Sequence, residues 1–305
     1  NIQSIHPNFF KKKQDKIFEI DIQKFNNLTE NLKFLVLQAF YYEYRYLFKK
    51  QITNLKNKIQ LKKISDKNKS LKKKINIINV DYKFKKTFEN ISEKSNNYIN
   101  KCFSLSLKLI KKKEVHGLIN GPISKRHFLK KKFPGITEYI SFKTKTKNEV
   151  MLIYNKNLAV TPLTTHIPIK NVTQNIKKKK IIKTAKKINN FYSLYLKKKP
   201  NIAVLGLNPH CKTIAKKSEE KNIISPAIKY LIKNNIKISG PFSADIFFLK
   251  KNIKRFDVVI GMYHDQVLTP VKTLFKFEAI NITLGLPFIK ITPDHGPNYE
   301  MIGKN

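Results

Sequence analysis

The apolar run Phe256–Ile260 (FDVVI) is followed directly by residues 261–266 (GMYHDQ), and this junction decides the fold class. A run rich in β-branched residues and flanked by polar ones predicts a strand that is buried on both faces. The residues after such a strand lie at the edge of a sheet, where open α/β sheets bind their ligands. A histidine and a carboxylate at that point, His264 and Asp265, therefore indicate a functional site.

Other apolar runs in the chain end in the same way, at small or polar residues. They are HGLIN (116–120), NLAVTPLTTH (157–166), NIAVLGLNPH (201–210) and EAINITLGLP (278–287). Helical patterns cover 171–196 and 222–235, and an apolar stretch at 33–44 and a strand-like stretch at 75–80 precede them. Strands that alternate with helices predict an α/β architecture with a largely parallel sheet.

The composition is that of a globular protein of one large or two medium domains, with 305 residues of which 41% are hydrophobic. No apolar run approaches the roughly 18 residues that a membrane span needs, so we expect no membrane partner. Cys102 and Cys211 have no CxxC partner, which predicts a reducing environment and a cytoplasmic location.

The net charge of +42 suggests a polyanion partner, because a basic surface neutralises phosphates. Only Arg45, Arg126 and Arg255 among the 62 basic residues are arginine, however, and arginine is the residue that base and phosphate recognition favours. The lysines are scattered along the whole chain together with many Asn and Ile residues. We therefore predict a drift toward A and T codons and no nucleic-acid partner, with polyanion binding as the alternative.

Three histidines follow three of the predicted strands: His166, His210 and His264. Because the ends of parallel strands gather at one edge of a sheet, the three imidazoles are candidates for one catalytic metal site with an open position. Asp265 is placed to orient a histidine ligand or to assist the departure of a substrate proton. The alternative is that each histidine is an isolated polar strand terminus.

A second group of residues suggests recognition of an anion. The stretch NGPISK (120–125) predicts a strand-to-helix turn whose N–H groups and Lys125 face an anion, or else an ordinary turn. Lys272, Asn281 and Lys290 lie on or near the last strands and are candidates for holding a phosphate or carboxylate. Each lysine taken alone is better explained as a solvated surface charge, whereas Asn281 lies inside an apolar strand and is less easily dismissed. No GxGxxG follows a strand, so a Rossmann dinucleotide site is not indicated.

From about residue 115 onward the chain resembles the 4-hydroxythreonine-4-phosphate dehydrogenases of pyridoxal phosphate biosynthesis. The motifs that carry the resemblance are GPISK, GITE, TTHIPI, VLGLNPH, SPAI, GPFSAD, MYHDQ, NITLGLPFIK and DHG…IGKN. The resemblance implies a two-domain α/β/α fold of the isocitrate/isopropylmalate dehydrogenase type, working as a homodimer. We expect a first domain of residues 1–120 with 286–305, and a second of 121–285 that carries the metal ligands and the dimer interface.

The resemblance also implies a reaction and a set of roles. 4-Phosphooxy-L-threonine is oxidised with NAD or NADP, and the β-keto acid loses CO₂ to give 3-amino-2-oxopropyl phosphate. A divalent ion (Zn, Mg or Co) is ligated by the three histidines named above. Asp265 and Lys272 are then the catalytic candidates. The substrate contacts are Thr137, Lys272, Asn281 and Lys290, and His295 and Gly296 are expected at the cofactor.

The chain departs from the family pattern at several places. Ile136 replaces the histidine of the family's GHTE motif. Lys290 replaces an arginine, so we expect the positive charge to remain at this position and the bidentate hydrogen bonding of a guanidinium to be lost. The glycine-rich segments expected near the N-terminus and after NPH are absent. These departures leave two alternatives open, which are a dehydrogenase of a related substrate such as a phosphothreonate, and a homologue that folds without turnover.

Overall fold

The computed structural model describes residues 91–296 apart from 131, 148, 212–217 and 277. It also describes 78, 80–82 and the backbone of five short strands nearer the N-terminus. The chain divides into two compact units, Thr146–Leu286 and Pro7–Lys145 with Pro287–Asn305. The domain boundaries expected from the sequence place residues 121–145 in the second domain, and those boundaries stay a prediction.

The elements are numbered in chain order. The strands are β1 Phe10–Lys13, β2 Ile17–Ile20, β3 Phe34–Leu37, β4 Leu61–Lys63, β5 Ile75–Ile77, β6 Gly117–Asn120, β7 Val150–Tyr154, β8 Ala159–Thr164, β9 Ile202–Leu205, β10 Ile238–Phe242, β11 Val258–Tyr263, β12 Ile280–Leu284 and β13 Ile289–Pro293. The α-helices are α1 Asn96–Lys111, α2 Lys125–Leu129, α3 Ile136–Lys143, α4 Val172–Asn175, α5 Lys178–Phe191, α6 Ser225–Lys233, α7 Ala244–Phe247, α8 Lys250–Ile253 and α9 His264–Phe275. Single 3-10 turns cover Glu93–Ser95, Ile169–Asn171 and Pro209–Cys211, and π-helical turns cover Tyr192–Leu196 and Glu220–Ile224.

The unit Thr146–Leu286 contains six strands in the order β10-β9-β11-β8-β7-β12. β10, β9, β11 and β8 are parallel to one another, and strands β8 and β9 are buried along their whole length. The β-branched and apolar side chains of these strands fit such a doubly covered position. The sequence-based prediction of an α/β fold, and of strands at these runs, is confirmed.

Most pairs of neighbouring strands are parallel, as predicted, but the sheet is mixed. β7 runs antiparallel to both β8 and β12, with Ile282 opposite Leu152 in the second pair. β7 and β8 are joined by the short segment Asn155–Leu158, in which the Asn155 side chain accepts a hydrogen bond of 2.8 Å from the Asn157 backbone. Such a short connection permits an antiparallel hairpin, whereas a parallel pair needs a crossover of a dozen or more residues.

Helices cover the strands of this unit. α9 contacts β8 and β11, and α5 contacts β7, β8 and β12. α9 buries Val267, Leu268 and Val271 in an apolar cluster with strand residues such as Val160 and Val259. Burying each of these side chains contributes about 1.5–3 kcal/mol, and this packing holds the start of α9, and with it His264, at the end of β11.

The other unit contains the parallel strands β13, β6 and β3 in that order, with Lys290 opposite Leu118. An aromatic cluster of Phe103, Phe128 and Tyr139 packs helices α1, α2 and α3 together. The strand predicted at 75–80 is present as β5, and it pairs with β4 in parallel. Within the described part of the chain, no helix is both long and apolar enough to cross a membrane.

Candidate functional site

The three histidines singled out in the sequence all follow neighbouring parallel strands. His166 lies two residues after β8, His264 begins α9 directly after β11, and His210 follows β9 in the 3-10 turn Pro209–Cys211. Because the strand order is β9-β11-β8, their ends lie side by side at one edge of the sheet. The sequence-based expectation that these three positions share one edge is confirmed.

The structure brings His166 and His264 together. Their ring centres lie 6.2 Å apart, and His264 Nδ1 lies 2.6 Å from Asp265 Oδ1. A carboxylate at Nδ1 favours the tautomer that carries its proton there, which leaves the Nε2 lone pair available to a ligand. This direct contact supports the predicted role of Asp265 in orienting His264.

His210 makes a different contact. Its Nδ1 lies 3.6 Å from Asp245 Oδ2, its side chain is 76% exposed, and its backbone has φ of 55°. The pKa of the Asp245 carboxyl is lowered, chiefly by the hydrogen bond that it accepts from Ser243 Oγ. In the described segments no three His, Cys, Asp or Glu side chains are gathered so that they could hold a metal ion. The structure thus pairs two of the three predicted ligands, and the three-ligand site stays a prediction.

The donor chemistry at this edge nevertheless fits a divalent ion. Imidazole suits Zn²⁺ and other first-row ions, and a histidine whose second nitrogen contacts a carboxylate is the usual form of such a ligand. His166 and His210 also adopt positive φ, at 51° and 55°. Non-glycine residues in this conformation are uncommon and are found more often at functional sites than elsewhere. The backbone of these two turns is therefore consistent with a functional role for His166 and His210.

Sequence reasoning overlooked Glu220, a buried carboxylate below the His210 turn. Its side chain is 3% exposed, and Oε1 accepts hydrogen bonds of 2.8 Å from the N–H groups of both Leu207 and Asn208. Burial by itself raises the pKa of Glu220, but the hydrogen bonds from Asn208 and Leu207 outweigh it and the pKa lies below its ordinary value. The only signal in the sequence was an acidic pair in a lysine-rich segment.

Lys290 and Thr137 belong to the other unit. Lys290 is 1% exposed in β13, so the reading of this lysine as a solvated surface charge is wrong. Burial lowers the pKa of Lys290 to about 7, against the opposing effect of Glu138, while Lys125 lowers it further. A lysine with a pKa near 7 is only partly protonated at neutral pH, and the expectation that Lys290 keeps the charge of an arginine stays a prediction. Thr137 is half-buried in the first turn of α3, next to Glu138.

Asn281 and Lys272 are the remaining substrate candidates. Asn281 lies in β12 opposite Ile153, and its Oδ1 is buried without a hydrogen-bond partner among the described residues. Buried polar atoms usually have a hydrogen-bond partner, so this oxygen is a candidate acceptor for a substrate group. Lys272 is half-buried on α9, two turns after His264.

The expected cofactor residues follow β13. His295 Nδ1 lies 2.9 Å from the Gly296 carbonyl oxygen, and a side chain added at Gly296 would meet no atom within 4 Å. Within the described part of the chain, these two residues therefore do not form a close-fitting cradle for a dinucleotide. Their assignment to a cofactor stays a prediction.

Comparison with solved structures finds the same fold in proteins of known structure. The structure superposes on the crystal structure of a 4-hydroxythreonine-4-phosphate dehydrogenase from Klebsiella pneumoniae with a TM-score of 0.70. The two share 24% sequence identity over 89% of this chain and 85% of the other, a similarity that concerns the fold.

Sequence comparison is more specific. Residues 36–305 match the family described as "Pyridoxal phosphate biosynthetic protein PdxA", and the chain belongs to this family. It is 40% identical to a 4-hydroxythreonine-4-phosphate dehydrogenase of Sulfurihydrogenibium sp. (strain YO3AOP1) over 81% of this chain and 76% of that protein. It is also 31% identical to a putative D-threonate 4-phosphate dehydrogenase of Oceanobacillus iheyensis, over 70% of this chain and 66% of that protein. The relatives named 4-hydroxythreonine-4-phosphate dehydrogenase are oxidoreductases.

Proposed function

We propose that this chain oxidises 4-phosphooxy-L-threonine with NAD or NADP in pyridoxal 5'-phosphate biosynthesis. The hydride passes to the nicotinamide, the hydroxyl proton is released, and the resulting β-keto acid loses CO₂ to give 3-amino-2-oxopropyl phosphate. The observation that carries the proposal is the pairing of His166 and His264, 6.2 Å apart at the ends of adjacent parallel strands, in a chain of the PdxA family.

His166, His210 and His264 are the residues that would hold a divalent ion such as Zn²⁺, Mg²⁺ or Co²⁺. Such an ion lowers the pKa of a bound hydroxyl and stabilises negative charge beside a carbonyl. Asp265 orients His264 through its 2.6 Å contact with Nδ1 and is also placed to accept a proton. Lys272, on the same helix as His264, pairs with an anionic group of the substrate.

The remaining substrate contacts are assigned to Thr137, Asn281 and Lys290. The start of α3 presents backbone N–H groups at Ile136 and Thr137, and its capping residue Gly135 supplies no side-chain hydrogen bond. A helix N-terminus of this kind favours a phosphate. The buried Oδ1 of Asn281 is an acceptor for a substrate hydroxyl or ammonium.

The proposal extends to the assembly and to the cofactor. We assign the two units to the two-domain fold of the isocitrate/isopropylmalate dehydrogenase type, acting as a homodimer in the cytoplasm on a small phosphorylated substrate. His295 and Gly296 are proposed to contact NAD or NADP. These assignments follow from the resemblance of the motifs, and no nucleic-acid or membrane partner is part of them.

A second candidate is oxidation of D-threonate 4-phosphate. Two observations favour this candidate. One is the similarity to the putative D-threonate 4-phosphate dehydrogenase of Oceanobacillus iheyensis, and the other is the replacement of the family histidine by Ile136. Isoleucine cannot donate a hydrogen bond, so the start of α3 lacks a donor at the point where the substrate is expected. A folded homologue without turnover is the third alternative.

The test is NADH or NADPH formation by the purified chain with each of the two phosphorylated substrates. The assay is run before and after chelation with EDTA and again after addition of Zn²⁺, Mg²⁺ or Co²⁺. We expect turnover of 4-phosphooxy-L-threonine that stops on chelation and returns with metal. Faster turnover of D-threonate 4-phosphate selects the second candidate, and absence of turnover with both selects the third.

A further inference from the structure

The side chain of Gln266 joins the segments that lead to His210 and His264. Its Oε1 accepts a hydrogen bond of 2.7 Å from the N–H of Met262, two residues before His264. Its Nε2 donates a hydrogen bond of 2.7 Å to the carbonyl oxygen of Gly206, four residues before His210. One carboxamide thus connects the end of β11 with the end of β9.

Glu220 holds the same His210 segment from a second direction. Besides the two backbone N–H groups of Leu207 and Asn208, its carboxylate accepts hydrogen bonds of 3.2 and 3.0 Å from Asn208 Nδ2. A buried carboxylate with this many donors is strongly fixed, because charge-assisted hydrogen bonds are stronger than neutral ones. The backbone just before His210 is therefore tied to Glu220 as well as to Gln266.

Two glycines leave space for these contacts. A Cβ atom at Gly206 would lie 2.5 Å from Cys211 Sγ and 3.3 Å from Glu220 Oε1. A Cβ atom at Gly261 would lie 2.4 Å from Val267 Cγ1 and 3.1 Å from Gln266 Oε1. A side chain at either position would therefore force Cys211 or Val267 to shift, and it would crowd the carboxylate of Glu220 or the carboxamide of Gln266.

We propose that Gln266 and Glu220 are positioning residues, and we call this pair the brace. Gln266 holds the His210 segment against the His264 segment, and Glu220 fixes the backbone of the His210 segment. The inference rests on the proposed metal site, of which His210 and His264 are ligands. The chemistry requires an amide at 266, because the side chain must accept at Met262 and donate at Gly206. It requires a carboxylate at 220, because the groups of Leu207 and Asn208 that contact it are all donors.

The experiment measures Co²⁺ binding by the full chain, through titration and the visible absorption of the bound ion. Two variants alter the first brace residue. Gln266→Glu keeps the acceptor for Met262 but turns a second oxygen toward the Gly206 carbonyl, and Gln266→Leu removes both bonds. Glu220→Gln places an NH₂ group against donors. Gln174→Leu, on the exposed face of α4, and Glu219→Gln, which removes a charge but keeps an acceptor oxygen for Asn208 Nδ2, are the matched controls.

We expect the Gln266 variants to weaken Co²⁺ binding about 10- to 100-fold, as removal of groups that orient metal ligands does. We also expect a changed Co²⁺ absorption spectrum and faster deuterium uptake in residues 206–211. Glu220→Gln is expected to show the same changes, and both controls to behave as the unmodified chain. Gln266→Glu retains one of the two bonds and so serves as the test if Gln266→Leu does not fold.

Unchanged Co²⁺ affinity and spectrum in a folded Gln266→Glu chain would overturn the brace, even if deuterium uptake rises. Unchanged deuterium uptake in 206–211 would overturn it as well, because the segment would then not depend on Gln266. If the unmodified chain binds no Co²⁺, the proposed metal site fails, and the brace as a device for positioning ligands fails with it. That failure is visible without any variant, which separates it from failure of the brace alone.

Discussion

The hydroxyl group of Thr164 donates a hydrogen bond of 2.7 Å to the carbonyl oxygen of Met262, 98 residues later in the chain. Both residues are buried, and each lies two positions before one histidine of the close pair, His166 and His264. The contact therefore links the ends of β8 and β11 at the point where the two imidazoles leave the sheet. It is a structural reason for the proximity of the two rings.

Removal of this hydroxyl is expected to loosen the pair. Thr164→Val keeps the shape of the side chain but deprives the Met262 carbonyl of the hydroxyl donor, which costs about 1–3 kcal/mol of the free energy of unfolding. Chemical denaturation measures this loss, and Co²⁺ titration measures the accompanying decrease in affinity. Thr173→Val, at an exposed position of α4, is the control and should change neither quantity. Equal stability of the two variants would show that the Thr164 contact is unimportant.

Replacement of His264 by alanine is expected to abolish metal-dependent turnover and leave the fold intact. The side chain is 40% exposed, so its removal should change the free energy of unfolding by less than about 1 kcal/mol. Turnover with and without EDTA and a thermal melt test both parts of the prediction. His116→Ala removes an exposed histidine from the other unit and should remain fully active. Normal EDTA-sensitive turnover by His264→Ala would contradict the assignment of the metal ligands.

Lys290 makes stability depend on pH in a direction that is set by its lowered pKa. The pKa is about 7 in the folded chain against 10.5 for an ordinary lysine. Between these values the unfolded chain binds more protons, so the free energy of unfolding rises with pH from about 7 to about 10.5. Below pH 7 Lys290 is charged although it is buried, so the gain in the free energy of unfolding that comes with its neutralisation is absent. The contribution is at most about 5 kcal/mol over this range.

Lys290→Met isolates this contribution. The variant should be more stable than the unmodified chain at pH 6, and the difference should shrink as the pH approaches 10, because the unmodified chain then buries a neutral amine. Denaturant titrations at several pH values measure both curves, and other lysines contribute equally to each. Parallel curves would mean that Lys290 remains charged in the folded chain.

Restoring a histidine at position 136 is expected to improve substrate binding. Ile136 begins α3 beside Thr137, and an imidazole there supplies a hydrogen-bond donor to a phosphate or hydroxyl. A hydrogen bond to a charged group contributes about 1.5–3 kcal/mol, so KM for 4-phosphooxy-L-threonine should fall by about tenfold or more. Steady-state kinetics of Ile136→His measures this change. Ile136→Leu, which adds no donor, should keep the original KM, and equal values for both variants would place the substrate away from α3.

Much of the local structure was predictable from the sequence. The apolar runs before His166, His210 and His264 are strands, because β-branched and apolar side chains over four to six residues favour buried extended backbone. The helical patterns at 171–196 and 222–235 correspond mainly to α5 and α6, with short turns around them. The motifs also sufficed to recognise the family, since they consist of contiguous residues.

Only the tertiary structure decided how these pieces are combined. The antiparallel course of β7, the burial of Lys290 and the contact of His210 with Asp245 depend on neighbours that are distant in sequence. The same is true of the Gln266 contact with Gly206, which spans 60 residues. Local patterns determine which backbone conformation a segment prefers and which chemical groups it carries, whereas strand order and register determine which groups meet. Identical lysines therefore become surface charges or a buried amine according to the packing around them.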